Sequence, residues 1–322
     1  MFSLTLVLLL APLGLIVLLA GYALWYQWRH RPRLTMRGPL RHHVPLTGDG
    51  LRLFATGDTG TGQPPQMEVA AAMAARCATH PADGLLLLGD IFYMRGIAGL
   101  DDPLWQTRLE EPYGQGALGS VPIYPVLGNH DYRGDLQAML DHSTRSPRWH
   151  MPNRFYSVTF GDVVKLIAFD TGFTDVWFRE DGGALDFLLR ELKKPTEARW
   201  VVVMGHTPLA AASPRGWSYS GFYFGRFMRW LVGRRAHLWL NAHAHHLEHR
   251  PLPGEGLHCF ISGAGGGRLH SVRNDPRSSY VRSEGGFLEL HFTREAIEAR
   301  FILADGRVDY ETRLDSASFG GR

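Results

Sequence analysis

Five short segments of the chain each set a metal-ligand residue directly behind a short apolar run: Gly57-Asp58-Thr59-Gly60, Gly89-Asp90-Ile91-Phe92-Tyr93, Gly128-Asn129-His130-Asp131, Gly205-His206 and Ala242-His243-Ala244-His245. This recurrence constrains the fold, because open α/β sheets bind ligands just outside the carboxyl ends of their strands. Leu51 to Thr56, Gly84 to Leu88, Val121 to Leu127, Trp200 to Met204 and His237 to Leu240 are the runs, and each reads as a strand. The prolines at 122 and 125 suit an edge or irregular strand. The stretch from Gln66 to Thr79 and the spacing of Leu185, Leu188, Leu189 and Leu192 read as helices. Arg154 to Phe169 reads as a hairpin turning at Gly161-Asp162, and Gly286 to Phe292, Ile297 to Leu303 and Arg307 to Leu314 read as closing strands. The alternation predicts α/β architecture with more hairpins than a purely parallel sheet has.

The donor inventory is two carboxylates (Asp58, Asp90), one carboxamide (Asn129), one phenol (Tyr93) and three imidazoles (His206, His243, His245). Oxygen and nitrogen donors of this kind can hold two ions about 3.5–4 Å apart, a spacing suited to phosphate-ester hydrolysis. Tyr93 discriminates most. A phenol, with its ordinary pKa of about 10, is a poor ligand for a divalent ion at neutral pH. A trivalent ion such as Fe(III) is acidic enough to take it as phenolate.

Net charge is +3 over 322 residues, too small to point to nucleic acid as a partner. Two cysteines, Cys77 and Cys259, exclude a disulfide framework and read as separate buried thiols. Residues 2–28 carry no charge, exceed the about 20 apolar residues a bilayer span needs, and end in Tyr22, Trp25, Tyr26 and Trp28 before a run of arginines (29, 31, 33, 37 and 41). No Lys or Arg precedes the span, so a retained anchor is favoured over a cleaved signal peptide. The expected organisation is a transmembrane anchor at 1–28, a basic linker at 29–48 and one catalytic domain at 49–322. The positive-inside rule favours the cytoplasmic side for that domain, export being the alternative.

The five motifs in this order, with Tyr93, resemble the purple acid phosphatases of the small tartrate-resistant type, within the calcineurin-like metallophosphoesterases. The resemblance covers residues 51–314 and includes Phe260-Ile261-Ser262-Gly263-Ala264-Gly265. It implies a four-layer sandwich, two mixed β-sheets flanked by helices. It implies that Asp58, Asp90, Tyr93 and His245 hold iron, that Asn129, His206 and His243 hold a second ion (zinc, iron or manganese), and that Asp90 bridges. Relatives outside the purple group carry a histidine where this chain has Gly60; the lost ligand and the gained Tyr93 agree. The implied reaction is in-line attack of a metal-bound hydroxide on a phosphate ester, with His130, oriented by Asp131, at the phosphoryl oxygens or leaving group.

The chain departs from the family pattern twice. Ala242 stands where glycine is usual, a neutral change if φ is negative there. The loop at 207–217 lacks the family's further histidine, and Arg215 is its only cation. Arginine clamps phosphate but does not donate a proton near neutrality. Phosphate binding is therefore expected to persist and activated esters to be preferred. His246, His249 and His258 are expected to be surface or supporting residues, Asp170 and Asp175 turn residues, and His142, His150 and His270 give no signal. Trp105, Trp149, Trp177 and Trp217 are candidates for the cleft or the core. A phosphomonoesterase acting on a phosphorylated small molecule is the expected function. The alternatives are a diesterase or pyrophosphatase with a membrane-associated substrate, or a tethered phosphate-binding protein on a degenerate scaffold.

Overall fold

The computed structural model describes residues 21–22, 34–48, 50–171, 183–213 and 222–319. Its smaller sheet runs, edge to edge, β14 (Val308–Asp315), β13 (Ala296–Leu303), β12 (Gly286–Thr293), β2 (Gly50–Thr56), β3 (Gly84–Leu87) and β4 (Ile123–Pro125). The larger runs β1 (Arg41–Val44), β5 (Tyr156–Phe160), β6 (Val164–Ala168), β7 (Trp200–Met204), β8 (Leu238–Asn241), β10 (Leu257–Ser262), β9 (Leu247–Leu252) and β11 (Tyr280–Arg282). Both are mixed. β2, β3 and β4 are parallel, as are β6, β7 and β8, while β5–β6 and β12–β13–β14 are antiparallel.

Period-two alternation divides the larger sheet between two cores. Leu166, Val202, Leu238, Leu240 and Phe260 face the main core shared with the smaller sheet. Ile167, Val203, Trp239 and Cys259 face a second core closed by α3 (Ala184–Lys193) and α4 (Phe222–Val232) through Phe187, Leu188, Met228 and Leu231. On the smaller sheet, α1 (Pro64–Thr79) buries Val69, Met73 and Cys77, and a short α2 (Leu136–Asp141) follows the third motif. Leu85, Leu86 and Leu87 of β3 are fully buried, each contributing roughly 1.5–3 kcal/mol. The expected two mixed sheets with flanking helices are thus present. Both cysteines are buried free thiols.

Two differences from the sequence reading concern the periphery. The linker expected at 29–48 contains β1, a four-residue edge strand paired parallel to β5. Its Arg-His-His-Val sequence has no apolar alternation to announce it. Two arginines counted in the basic run are committed to the folded domain, Arg37 to Asp141 and Arg41 to Glu191. The anchor expected at 1–28 lies outside the described residues apart from 21–22. Among the described residues no helix is long and apolar enough to cross a membrane.

Candidate metal centre

The smaller sheet delivers Asp58, Asp90 and Asn129 just beyond the carboxyl ends of β2, β3 and β4; the larger delivers His206, His243 and His245 beyond β7 and β8. Two groups of donors result. In the first, the Tyr93 hydroxyl donates to Asp58 Oδ1 at 3.0 Å and lies 3.0 Å from His245 Nε2, which is 3.4 Å from Asp58 Oδ1. In the second, His206 Nε2 lies 3.3 Å from Asn129 Oδ1, 3.0 Å from His243 Nδ1 and 3.6 Å from Asp90 Oδ2. Asp90, His206 and His243 can each point a donor atom into one space, those atoms lying within 4.8 Å of one another. The Asp90 charge also raises the Tyr93 phenol, so its field reaches both groups. Asp58 Oδ2 is buried and has no hydrogen-bond partner among the described residues. A buried carboxylate oxygen left without a donor is expensive unless a cation meets it. The donor set fits two ions.

The backbone is bent to present these groups. Asp58, Asp90, His243 and His245 have φ of 54°, 52°, 64° and 37°, and the only other described non-glycine residue with positive φ is Arg234. Such strain concentrates where a function requires it. Ala242 is not among those residues, so alanine fits where glycine was expected. Gly60 is sterically fixed: a Cβ there would lie 1.9 Å from the Ile91 carbonyl oxygen. The Gly60 carbonyl in turn accepts the Tyr93 N–H at 2.9 Å, which ties the missing histidine to the added tyrosine.

Backbone carbonyls set the imidazole tautomers. His206 Nδ1 is 2.8 Å from the Leu88 carbonyl and His245 Nδ1 2.7 Å from that of Arg268, which leaves each Nε2 to face the donors. His130 follows the same rule, with Nδ1 2.8 Å from the Met94 carbonyl and Nε2 3.9 Å from Asp90 Oδ2. Electrostatics resist a neutral apo site. Burial pushes Asp58 up, but the charge and hydrogen bond of His245, with His206 and His243, hold it at about 2. Burial lowers His245, yet Asp58 outweighs it and brings the ring to about 9. Burial and His206 push His243 down to about 3, while burial and the two carboxylates drive the Tyr93 phenol far up.

The structure differs on Asp131. Its carboxylate accepts from the backbone N–H groups of Ile91 (3.0 Å), Phe92 (3.0 Å) and Gly128 (2.8 Å), locking the second motif to the third, and His130 is oriented by Met94 instead. Burial and the Asp90 charge raise Asp131 to about 7 against those hydrogen bonds. His246, His249 and His258 are buried, not surface: His246 contacts Glu248 at 2.8 Å, and His249 contacts His258 at 2.9 Å. Asp170 is buried against Arg154 at 2.7 Å and also accepts from Tyr132. Trp105 and Trp149 belong to the core. Arg215, Asp175, Trp177 and Trp217 lie outside the described residues. Sequence reasoning missed His270, whose ring stacks on His245 at 4.3 Å and 2° and whose N–H bonds the His245 carbonyl at 3.0 Å. Nothing local marks it, since it meets His245 through the loop after β10.

The family model for calcineurin-like phosphoesterases matches residues 51–247, which contain all seven donors. The chain belongs to that family. Human tartrate-resistant acid phosphatase type 5 is 28% identical over 316 residues, covering 84% of this chain and 94% of the human one. Purple acid phosphatase 3 of Arabidopsis thaliana is 29% identical over 290 residues, covering 82% and 78%. Among solved structures, GAP50, described as the anchor in the inner membrane complex of Plasmodium, superposes with TM-score 0.71 at 21% identity over 83% of this chain and 89% of its own. The purple acid phosphatase PPD1 from yellow lupin seeds superposes with TM-score 0.66 at 16% identity over 86% and 56%. The chain is a metallophosphatase resembling the tartrate-resistant and purple acid phosphatases, and a dinuclear centre acting on phosphoesters is supported.

Proposed function

We propose that the chain is a phosphomonoesterase of purple acid phosphatase type. Asp58, Asp90, Tyr93 and His245 would hold iron, and Asp90, Asn129, His206 and His243 a zinc, iron or manganese ion. The observation that carries this reading is Tyr93, seated between Asp58 and His245 at 3.0 Å from each. When bound, the ions supply Lewis-acid neutralisation of phosphate charge and a hydroxide nucleophile at neutral pH. The chain does the rest. Asn129 and Asp90 present their donors to the second ion from the smaller sheet, and His206 and His243 from the larger. His130, its Nδ1 committed to Met94, has Nε2 to donate a hydrogen bond to a phosphoryl oxygen or a proton to the departing group. Asp131 holds the loops that carry Asp90 and Asn129 in register. Arg215 remains a sequence-based candidate for the phosphate clamp, so activated esters should be cleaved in preference to alkyl phosphates. Purified protein should contain two ions, show a visible absorption band, and hydrolyse nitrophenyl phosphate until chelated. Two bound ions without turnover would instead favour a phosphate-binding role.

The uncharged span at 2–28 supports retention at a membrane, with Arg29, Arg31 and Arg33 favouring the cytoplasmic side. A reporter fused to the C-terminus tests the side; activity only outside the cell would reverse it.

A further inference from the structure

We propose that the mouth of the metal centre is a membrane-docking surface that lies against anionic lipid, so the enzyme's substrates are phosphate esters carried at a bilayer. The inference rests on the phosphoesterase and anchor readings above. The chain joins the fold beside the third motif. Thr35 accepts from and donates to Gln137 (Thr35 N–H to Gln137 Oε1, 2.7 Å; Gln137 Nε2 to the Thr35 carbonyl, 3.1 Å), and Arg37 pairs with Asp141. Gln137 and Asp141 belong to α2, directly after the third motif. Asp135, at the start of α2, donates its N–H to the Ile97 carbonyl at 2.7 Å, on the loop that follows Tyr93. The described domain therefore begins at its catalytic end. Six residues lie between Trp28 and Thr35, a chain reach of at most about 25 Å, so a span ending at Trp28 would hold that end close to the bilayer.

The exposed surface there has matching chemistry. Large apolar side chains are exposed at six described positions; Met36 (55%) and Met94 (64%) belong to these segments, and Leu269 (38%) to the loop after β10. Met94 follows Tyr93 and its carbonyl holds His130; Leu269 follows Arg268, whose carbonyl holds His245. Arg95, Arg133 and Arg268 are exposed beside them. Apolar tips among arginines suit an interface of acyl chains and anionic headgroups. The competing positions are Trp230 (70% exposed) on α4, outside the larger sheet, and Val308 (41%) on the edge strand β14.

The two faces can be read separately in the full chain reconstituted into vesicles. Cys77 and Cys259 are buried, so an environment-sensitive fluorophore will label only a thiol introduced by Leu269→Cys or Trp230→Cys. In phosphatidylserine vesicles the probe at 269 should shift to the blue and be quenched by brominated lipid. It should do so less in phosphatidylcholine, and the probe at 230 should stay as in detergent. Arg95→Glu with Arg133→Glu should abolish the shift at 269. Phosphatidic acid in vesicles should be hydrolysed with kcat/KM about a hundredfold above its short-chain soluble homologue. Met36→Glu should weaken that preference while leaving nitrophenyl phosphate turnover within about twofold. A shift at 230 and not 269, or at neither position, overturns the proposal, as does an equal shift in detergent, which would signal a protein contact. Release of the chain by alkaline carbonate would sink the anchor reading and the proposal with it. Loss of nitrophenyl phosphate turnover with the 269 shift intact would sink the phosphoesterase reading and the substrate class while supporting the docking surface.

Discussion

Burial and the carboxylates of Asp58 and Asp90 push the Tyr93 phenol far above its ordinary range, so only a strongly acidic cation will displace its proton. Tyr93→Phe should therefore abolish the visible band and lower affinity at the Asp58–His245 position by at least about tenfold, leaving the ion between His206 and His243 in place. Metal analysis alongside the absorption spectrum checks this; a variant that keeps its colour would exclude Tyr93 as the chromophore. His142 behaves differently. Its ring stacks on Trp105 at 3.7 Å, its nitrogens are buried without partners among the described residues, and burial followed by the Arg145 charge lowers it to about 4. A group whose folded pKa lies below its unfolded value of about 6.5 gives stability that is complete above that value. The stability is lost as pH falls toward 4, by roughly 2–3 kcal/mol in all. His142→Phe should flatten the stability profile between pH 7 and 4, measured by urea melts in chelator so that metal release does not contribute. An unchanged slope would mean that the ring is protonated, or released, in the native state.

At the level of elements, the smaller sheet is fastened to its helix by one buried carboxylate. Glu289 on β12 accepts from Arg52 on β2 (2.9 Å), Arg76 on α1 (2.6 Å) and Arg300 on β13 (3.2 Å). Its neutral analogue would leave three guanidinium groups facing it. Glu289→Gln should destabilise the fold by about 3–5 kcal/mol with an unchanged denaturant slope. A loss under about 1 kcal/mol would show that the arginines find solvent or their other acidic partners. This clamp was invisible in the sequence, because its four members are scattered over residues 52–300 and each alone reads as an ordinary strand or helix charge. The strands that lead to the site were legible, since Leu85, Leu86 and Leu87 or Val202 and Val203 are buried on both faces and form continuous apolar runs. β1 and β11 were not, being short edges with intermediate burial. The same logic sorts the site. Donors directly behind strands could be read from order and spacing. The carbonyls of Met94 and Arg268 and the ring of His270 reach their partners only through tertiary folding.

For the molecule as a whole, the two groups of donors share one property: each draws on both sheets. Asp58 and Tyr93 come from the smaller sheet and His245 from the larger; Asp90 and Asn129 come from the smaller, His206 and His243 from the larger. Bound ions would therefore staple the sheets at their carboxyl ends, adding to the main core between them. Because the unfolded chain offers no such set, binding free energy becomes folding free energy. A single ion at a free concentration a hundred times its Kd would stabilise by about 2.7 kcal/mol. Two ions should raise Tm by roughly ten degrees in a domain of this size. The effect should also be local. Chelation should speed amide exchange where β2, β3, β7 and β8 end at the centre, and leave β13–β14, at the far edge of the smaller sheet, as it was. Calorimetry of the metal-loaded and stripped protein, with exchange measured on the same samples, reads both quantities. If stripping lowers Tm but loosens β13–β14 as much as β7–β8, the ions stabilise the fold as a whole and the cross-sheet staple is wrong. If it changes neither, the seven residues do not hold metal in the folded protein.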